Sequence, residues 1–177
     1  MTSLAPAGTP IGLRALARCL WRGVRTPSEG EFVAAIAAYL KVEHAFCISQ
    51  GRAALSLSLE LLAENSGKRR VVVPAYTCYS VPAAVAKAGL QVLSVDIDRS
   101  TLDYDRNALE RLDCSDVVAI VSSSLFGLPG DLTFLEAFGQ RRGVAVIDDA
   151  AQALGARVDG RHVGTFGYVG FYSLGRG

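Results

Sequence analysis

Asp148 and Asp149 stand side by side at the end of the apolar run 144–147. Carboxylates in such a place are expensive to bury, so at least one needs a cation or hydrogen-bond donors. Gln152 follows Asp149 at i+3, a spacing that sets two side chains beside each other on a helical turn. The equally open alternative is an N-cap pair that merely opens a helix. Ser49-Gln50-Gly51-Arg52 offers different chemistry. Free amides at a helix N-terminus suit a phosphate, Gly51 allows close approach, and Arg52 can add a charge-assisted bond. Pro74-Ala75-Tyr76-Thr77-Cys78-Tyr79 is rich in groups able to flank a planar ring. Phe171-Tyr172-Ser173-Leu174-Gly175-Arg176-Gly177 runs from an apolar stretch into a glycine-containing turn.

Each of these segments needs a strand to deliver it, and the surrounding pattern supplies strands in alternation with helices. Ser28-Glu29-Gly30-Glu31 has the form of a capping box and predicts a helix through about Leu40, with Phe32, Ile36, Tyr39 and Leu40 facing inward. Strands are expected at 44–49, 70–73, 91–96, 117–122, 144–147 and 169–173. Helices are expected at 52–64, 81–88, 106–112 and 132–142, with Leu55, Leu59 and Leu62 forming one stripe and Gly89 and Gly143 closing two of them. Asp159-Gly160 marks a hairpin turn. The alternation calls for a doubly wound α/β layer with a mostly parallel sheet and helices on both faces. In such sheets ligands bind beyond the carboxyl ends of the strands, where all four chemical segments fall.

Composition narrows the class. The 177 residues carry a formal net charge of +1, so nucleic acid is not expected as a partner. Half of them are hydrophobic, which suits strands buried on both faces. No run reaches the roughly 18 apolar residues of a membrane-spanning helix. Cys19, Cys47, Cys78 and Cys114 form no CxxC pair and only His44 and His162 are present, so no metal site is expected. Scattered thiols suit a reducing compartment, and the cytoplasm is the expected location. Residues 1–27 read as a basic amphipathic arm: Arg14, Arg18 and Arg22 share a helical face, Arg25 follows, and Leu13, Leu16, Leu20 and Trp21 are available to pack. Neither GxGxxG nor GxxxxGK[ST] follows a strand, which argues against a nicotinamide dehydrogenase or a P-loop.

Taken in order, these segments resemble the DegT/DnrJ/StrS family of enzymes that use pyridoxal 5′-phosphate (PLP), within the aspartate-aminotransferase fold (fold type I). The resemblance runs from about Phe32 to Gly177. It includes Gly51-Arg52-Ala53-Ala54-Leu55, Val73-Pro74-Ala75-Tyr76-Thr77, Val95-Asp96-Ile97-Asp98 and Phe126-Gly127-Leu128-Pro129-Gly130-Asp131-Leu132. Its most specific parts are 147–155, Gly160-Arg161-His162-Val163-Gly164 and Phe171-Tyr172-Ser173.

The resemblance implies a role for each matched position. Asp149 is the partner of the cofactor's pyridine nitrogen, and Gln152 lies beside the ring's phenolic oxygen. Gly51 and Arg52 cradle the phosphate, with Arg52 standing where the family usually has a small hydroxyl residue. Ser173 contacts the same phosphate. An aromatic commonly covers the ring at the position of Cys78; here Tyr76, Cys78 and Tyr79 are the candidates. Ser124 replaces a histidine found in many relatives. The Schiff-base lysine is expected five residues after Ser173, just beyond Gly177. The large domain, 28–177, is then incomplete, and no catalytic residue lies within the chain.

For the full-length protein the resemblance implies transfer of an amino group, from glutamate, to a keto-sugar nucleotide, by a homodimer. Two alternatives stand beside it. One is a dehydratase of the same family that uses the pyridoxamine form, and the other is a non-catalytic truncated product.

Overall fold

The computed structural model describes residues 12–21 and 28–174. The described residues up to Cys47 form one compact unit and Ile48–Leu174 another.

The first unit holds two helices. Helix α1, Leu13–Trp21, leaves Leu13, Leu20 and Trp21 exposed beside Arg14 and Arg18, while Arg22 and Arg25 lie outside the described residues. Helix α2, Glu29–Leu40, opens on the expected capping box: Ser28 Oγ accepts from the Glu31 amide, and the Ser28 amide donates to the Glu31 carboxylate. The expected inward face is only partly realised. Leu40 is buried, but Phe32 and Tyr39 stay exposed. Four alanines spread apolar surface around this helix, so its sequence selects no single stripe.

In the second unit the alternation builds a sheet. Helix α3 is Gly51–Ser66, then come β1 (Arg70–Pro74), α4 (Ser80–Lys87), β2 (Gln91–Val95), α5 (Arg106–Glu110) and β3 (Val117–Ser123). A 3-10 turn at Leu125–Gly127 leads to α6 (Leu132–Arg142), β4 (Ala145–Asp149), a hairpin of β5 (Arg157–Val158) and β6 (Arg161–His162), and β7 (Val169–Phe171). The five-stranded sheet has the order β2-β1-β3-β4-β7, and every pairing in it is parallel. This is the expected α/β layer.

Strand alternation feeds two cores. Val71, Val73, Val121 and Ile147 pack under Leu55 and Leu59 of α3 and Val81 and Val85 of α4. Val72, Ile120 and Val146 pack on the other face against Leu109 of α5 and Leu135 and Phe138 of α6. Tyr104 enters this second core and its hydroxyl reaches the Val121 and Val72 carbonyls, across β3 and β1.

Two expectations need correction. Residues 44–49 form no strand; Phe46 is 83% exposed, and the segment has no ladder partner among the described residues. Apolar character alone cannot make a strand without a neighbour to bond. The last strand stops at Phe171 rather than Ser173, because its only partner among the described residues, β4, ends at Asp149 opposite Phe171. The predicted turn is present, with Asp159 and Gly160 both at positive φ.

Candidate active site

The chain passes from β1 to β2 on one side and returns to β3 on the other, so the sheet has its switch point between β1 and β3. Ligand crevices open there, at the carboxyl ends of the strands. Thr77, in the loop after β1, shares a hydrogen bond of 3.0 Å with the hydroxyl of Ser123, the last residue of β3. Ser123 pairs in register with Asp149, so the two side chains leave the same face. Thr77, Ser123 and Asp149 thus line one edge of the crevice. The sequence reading passed over the Thr77–Ser123 pair. Its signal was the serine run 122–124 directly after the apolar run 117–121.

The adjacent aspartates point to opposite faces and have different surroundings. Asp148 is fully buried. Its Oδ2 accepts from the Gly164 amide at 2.6 Å and the Phe166 amide at 3.2 Å, and its Oδ1 has no partner among the described residues. Asp149 is half-buried, and one of its oxygens accepts from the Ala151 amide at 3.0 Å. Its other oxygen receives no hydrogen bond among the described residues. Burial pushes both carboxyls up to about 6, against amide hydrogen bonds that pull the other way.

Across Phe171 from Asp149 lies the start of α3. Phe171 is the register partner of Asp149, and its ring stands 3.4 Å from where a side-chain carbon on Gly51 would sit. Gln50 caps this helix without a side-chain bond, and the first amide to find a backbone acceptor is that of Ala54. Among the described residues the amides of Gly51, Arg52 and Ala53 are therefore open to an anion. The Arg52 side chain is exposed. Ser173, two residues beyond Phe171, is also exposed.

Gln152 sits on a turn, not on a helix, which also removes the N-cap reading of the aspartate pair. Its Oε1 accepts from the Phe126 amide at 2.7 Å. Phe126 holds φ at 58°, a left-handed conformation costing a bulky residue about 1–3 kcal/mol. Gln152 thus steadies a strained turn while its amide nitrogen stays unengaged among the described residues. Ser124 is buried; its amide donates to the Asp149 carbonyl at 3.0 Å, and its hydroxyl has no partner among the described residues. Cys78 accepts from the Ser80 hydroxyl at 3.1 Å, and Tyr79, 75% exposed, opens α4.

Residues 13–174 match the DegT/DnrJ/EryC1/StrS aminotransferase family. The chain belongs to this family. It is 34% identical over 180 residues to the L-glutamine:2-deoxy-scyllo-inosose aminotransferase of Micromonospora echinospora, covering 97% of this chain and 43% of that one. It is 34% identical over 141 residues to the UDP-N-acetyl-3-dehydro-alpha-D-glucosamine 3-aminotransferase of Acidithiobacillus ferrooxidans, covering 80% and 38%. The crystal structure of the aminotransferase TlmJ from Streptoalloteichus hindustanus superposes with a TM-score of 0.77 at 31% identity, over 93% of this chain and 46% of that one. The chain spans less than half the length of these relatives. The fold is that of the PLP-dependent aminotransferases of fold type I. Among the described residues no helix is long and apolar enough to cross a membrane.

For this family member the raised carboxyls carry a sign that stability measurements can read. A native carboxyl at about 6, against 3.8 when solvated, binds protons that the unfolded chain has released. Stability is therefore highest below about pH 4 for these two groups and falls as pH rises to about 6. The loss is at most about 3 kcal/mol for Asp148, and less for Asp149, which keeps contact with solvent. Urea unfolding of the apo-protein between pH 4 and 7 should show this slope reduced in an Asp148→Asn, Asp149→Asn double variant. An unchanged slope would assign the pH dependence to other groups.

Proposed function

We propose that this chain is the cofactor-cradling part of a PLP-dependent aminotransferase that moves an amino group from glutamate to a keto-sugar nucleotide. The observation that carries the reading is Asp149: a half-buried carboxylate with one undonated oxygen, separated by Phe171 from the open amides of α3. That pairing of a negative and an anion-binding pole fits a ligand with a cationic ring nitrogen at one end and a phosphate at the other.

When bound, PLP supplies an electron sink for the carbon that loses its proton during transfer. Asp149 keeps a proton on the ring nitrogen. Gly51 and Arg52 hold the phosphate with the exposed Ser173 hydroxyl, and the Arg52 guanidinium compensates for the small hydroxyl residue usual in the family. The unengaged amide nitrogen of Gln152 donates to the ring's phenolic oxygen. Cys78 or an aromatic of the same loop, Tyr76 or Tyr79, flanks the ring face. A second subunit completes the site, and the enzyme works in the cytoplasm. The names of the two curated relatives support an amino transfer to a ketone: one acts on an inosose and the other on a UDP-linked sugar.

The test uses the full-length protein with PLP. A visible absorbance band should form, be bleached by glutamate, and return on adding a keto-sugar nucleotide. Glutamine in parallel separates the two donors. A protein that gives no band, or a band indifferent to both donors, ends the proposal.

A further inference from the structure

We infer that Asp148 is a positioning residue for the phosphate end of the site: it fixes the loop 163–167, and through that loop the place at which Ser173 leaves β7. The inference rests on the reading above but concerns the acid to which that reading gives no role. Asp148 lies on the face away from Asp149 and is fully buried, so it acts through what it holds.

The physical chain is continuous. Asp148 Oδ2 receives two amides, from Gly164 and Phe166, in a fully buried setting. Hydrogen bonds to a charged group with no competing water are the strong kind. Gly164 in turn lies against the Tyr172 ring: a side-chain carbon there would stand 2.6 Å from Tyr172 Cε1, closer than atoms can pack. The Tyr172 hydroxyl donates to the carbonyl of Val163, beside Gly164. Ser173 is the next residue. The loop has further moorings, since Glu136 accepts from the Gly167 amide at 2.9 Å and pairs with Arg161 at 3.0 Å. These hold its far end and its hairpin. At the end next to Tyr172 the Val163 amide donates to the Ala156 carbonyl at 3.0 Å, and the Gly164 and Phe166 amides depend on Asp148.

An asparagine at 148 fits the same geometry. Its single oxygen can accept both amides, and its NH2 group replaces Oδ1, which accepts no hydrogen bond among the described residues, so no existing bond is lost. Alanine removes both bonds and leaves two amides buried without acceptors. If Asp148 acts by position, asparagine should rescue what alanine loses.

The probes are pyridoxamine 5′-phosphate and pyridoxamine, which need no covalent attachment and differ only in the phosphate. Binding of each to the full-length protein is titrated by fluorescence. Asp148→Ala should weaken the phosphorylated probe about tenfold, the scale of one charge-assisted bond, and leave pyridoxamine within about twofold. Asp148→Asn should return the phosphorylated probe to within about threefold of wild type. Tyr172→Phe, which keeps the Asp148 bonds and removes the downstream bond to Val163, should cost the phosphorylated probe about threefold, and it carries the test if the alanine variant does not fold. Equal weakening of both probes, or no change in their ratio in the variants that fold, overturns the inference. A wild-type protein with no preference for the phosphorylated probe overturns the functional reading instead.

Discussion

An Asp149→Asn substitution in the full-length protein should lower kcat/KM for amino transfer by about 10²–10³-fold, while raising the stability of the apo-protein above pH 6. The two effects have one origin. Burial lifts the Asp149 carboxyl to about 6, so at neutral pH the apo-protein holds a charge it is poorly built to solvate. Asparagine removes that charge and keeps the bond from the Ala151 amide, because the accepting oxygen is retained. The fold therefore loses nothing it uses. On the proposed reading the site loses the group that holds a proton on the ring nitrogen, and removing one partner of a buried charge pair costs about 3–5 kcal/mol, which is the scale of that rate effect. Opposite signs in the two readouts separate this from a folding defect, in which both would fall. Steady-state kinetics and urea unfolding of the same two preparations decide it. A variant with kcat/KM within about tenfold of wild type would remove Asp149 from the chemistry.

The conflict at Asp149 also marks where sequence reading worked and where it stopped. Strands and helices were legible wherever a local pattern had a local cause. The Leu55, Leu59 and Leu62 stripe places one face of α3 against the sheet, and the Ser28 box starts α2 where expected. Residues 44–49 show the limit, because a strand needs a partner that its own residues do not encode. The candidate site was readable as a set of positions at strand exits, and Asp149, the α3 amides and Gln152 lie at the same ends of the sheet. What it adds are couplings across long separations. Asp148 bonds residues 16 and 18 positions away, Thr77 reaches Ser123, and Gln152 reaches back to Phe126. The i+3 spacing of Asp149 and Gln152 predicted proximity by a helical turn; the chain achieves its arrangement with a non-helical turn tied to a strained Phe126. None of these partners has a periodic signature, so pattern reading had nothing to detect them with.

Gly170→Ala should be the most destabilising small substitution in the second unit, with a loss of about 3–5 kcal/mol from overpacking and orphaned polar groups together. Gly170 lies within β7 opposite Asp148, at an ordinary backbone conformation. Nothing in its dihedrals calls for glycine. The reason is an approach of backbone to backbone: a side-chain carbon here would overlap the Gly164 carbonyl oxygen and stand 2.6 Å from its carbon and 3.0 Å from its Cα. No rotamer relieves such a contact. The strand would have to leave β4, or the loop 163–167 would have to lift. Lifting the loop takes the Gly164 and Phe166 amides from Asp148 and leaves a buried carboxylate with no donors. Gly160→Ala is the control, since Gly160 sits at φ 81° with nothing within 4 Å of the added carbon, and should cost only about 1 kcal/mol of conformational preference. Urea unfolding of both variants gives the comparison. The phosphorylated probe should bind Gly170→Ala far more weakly than Gly160→Ala, because the displaced loop carries Tyr172 and Ser173 with it. Equal stability in the two variants would mean that the loop yields freely, and that the exit of β7 is held by something other than its crossing over Gly170.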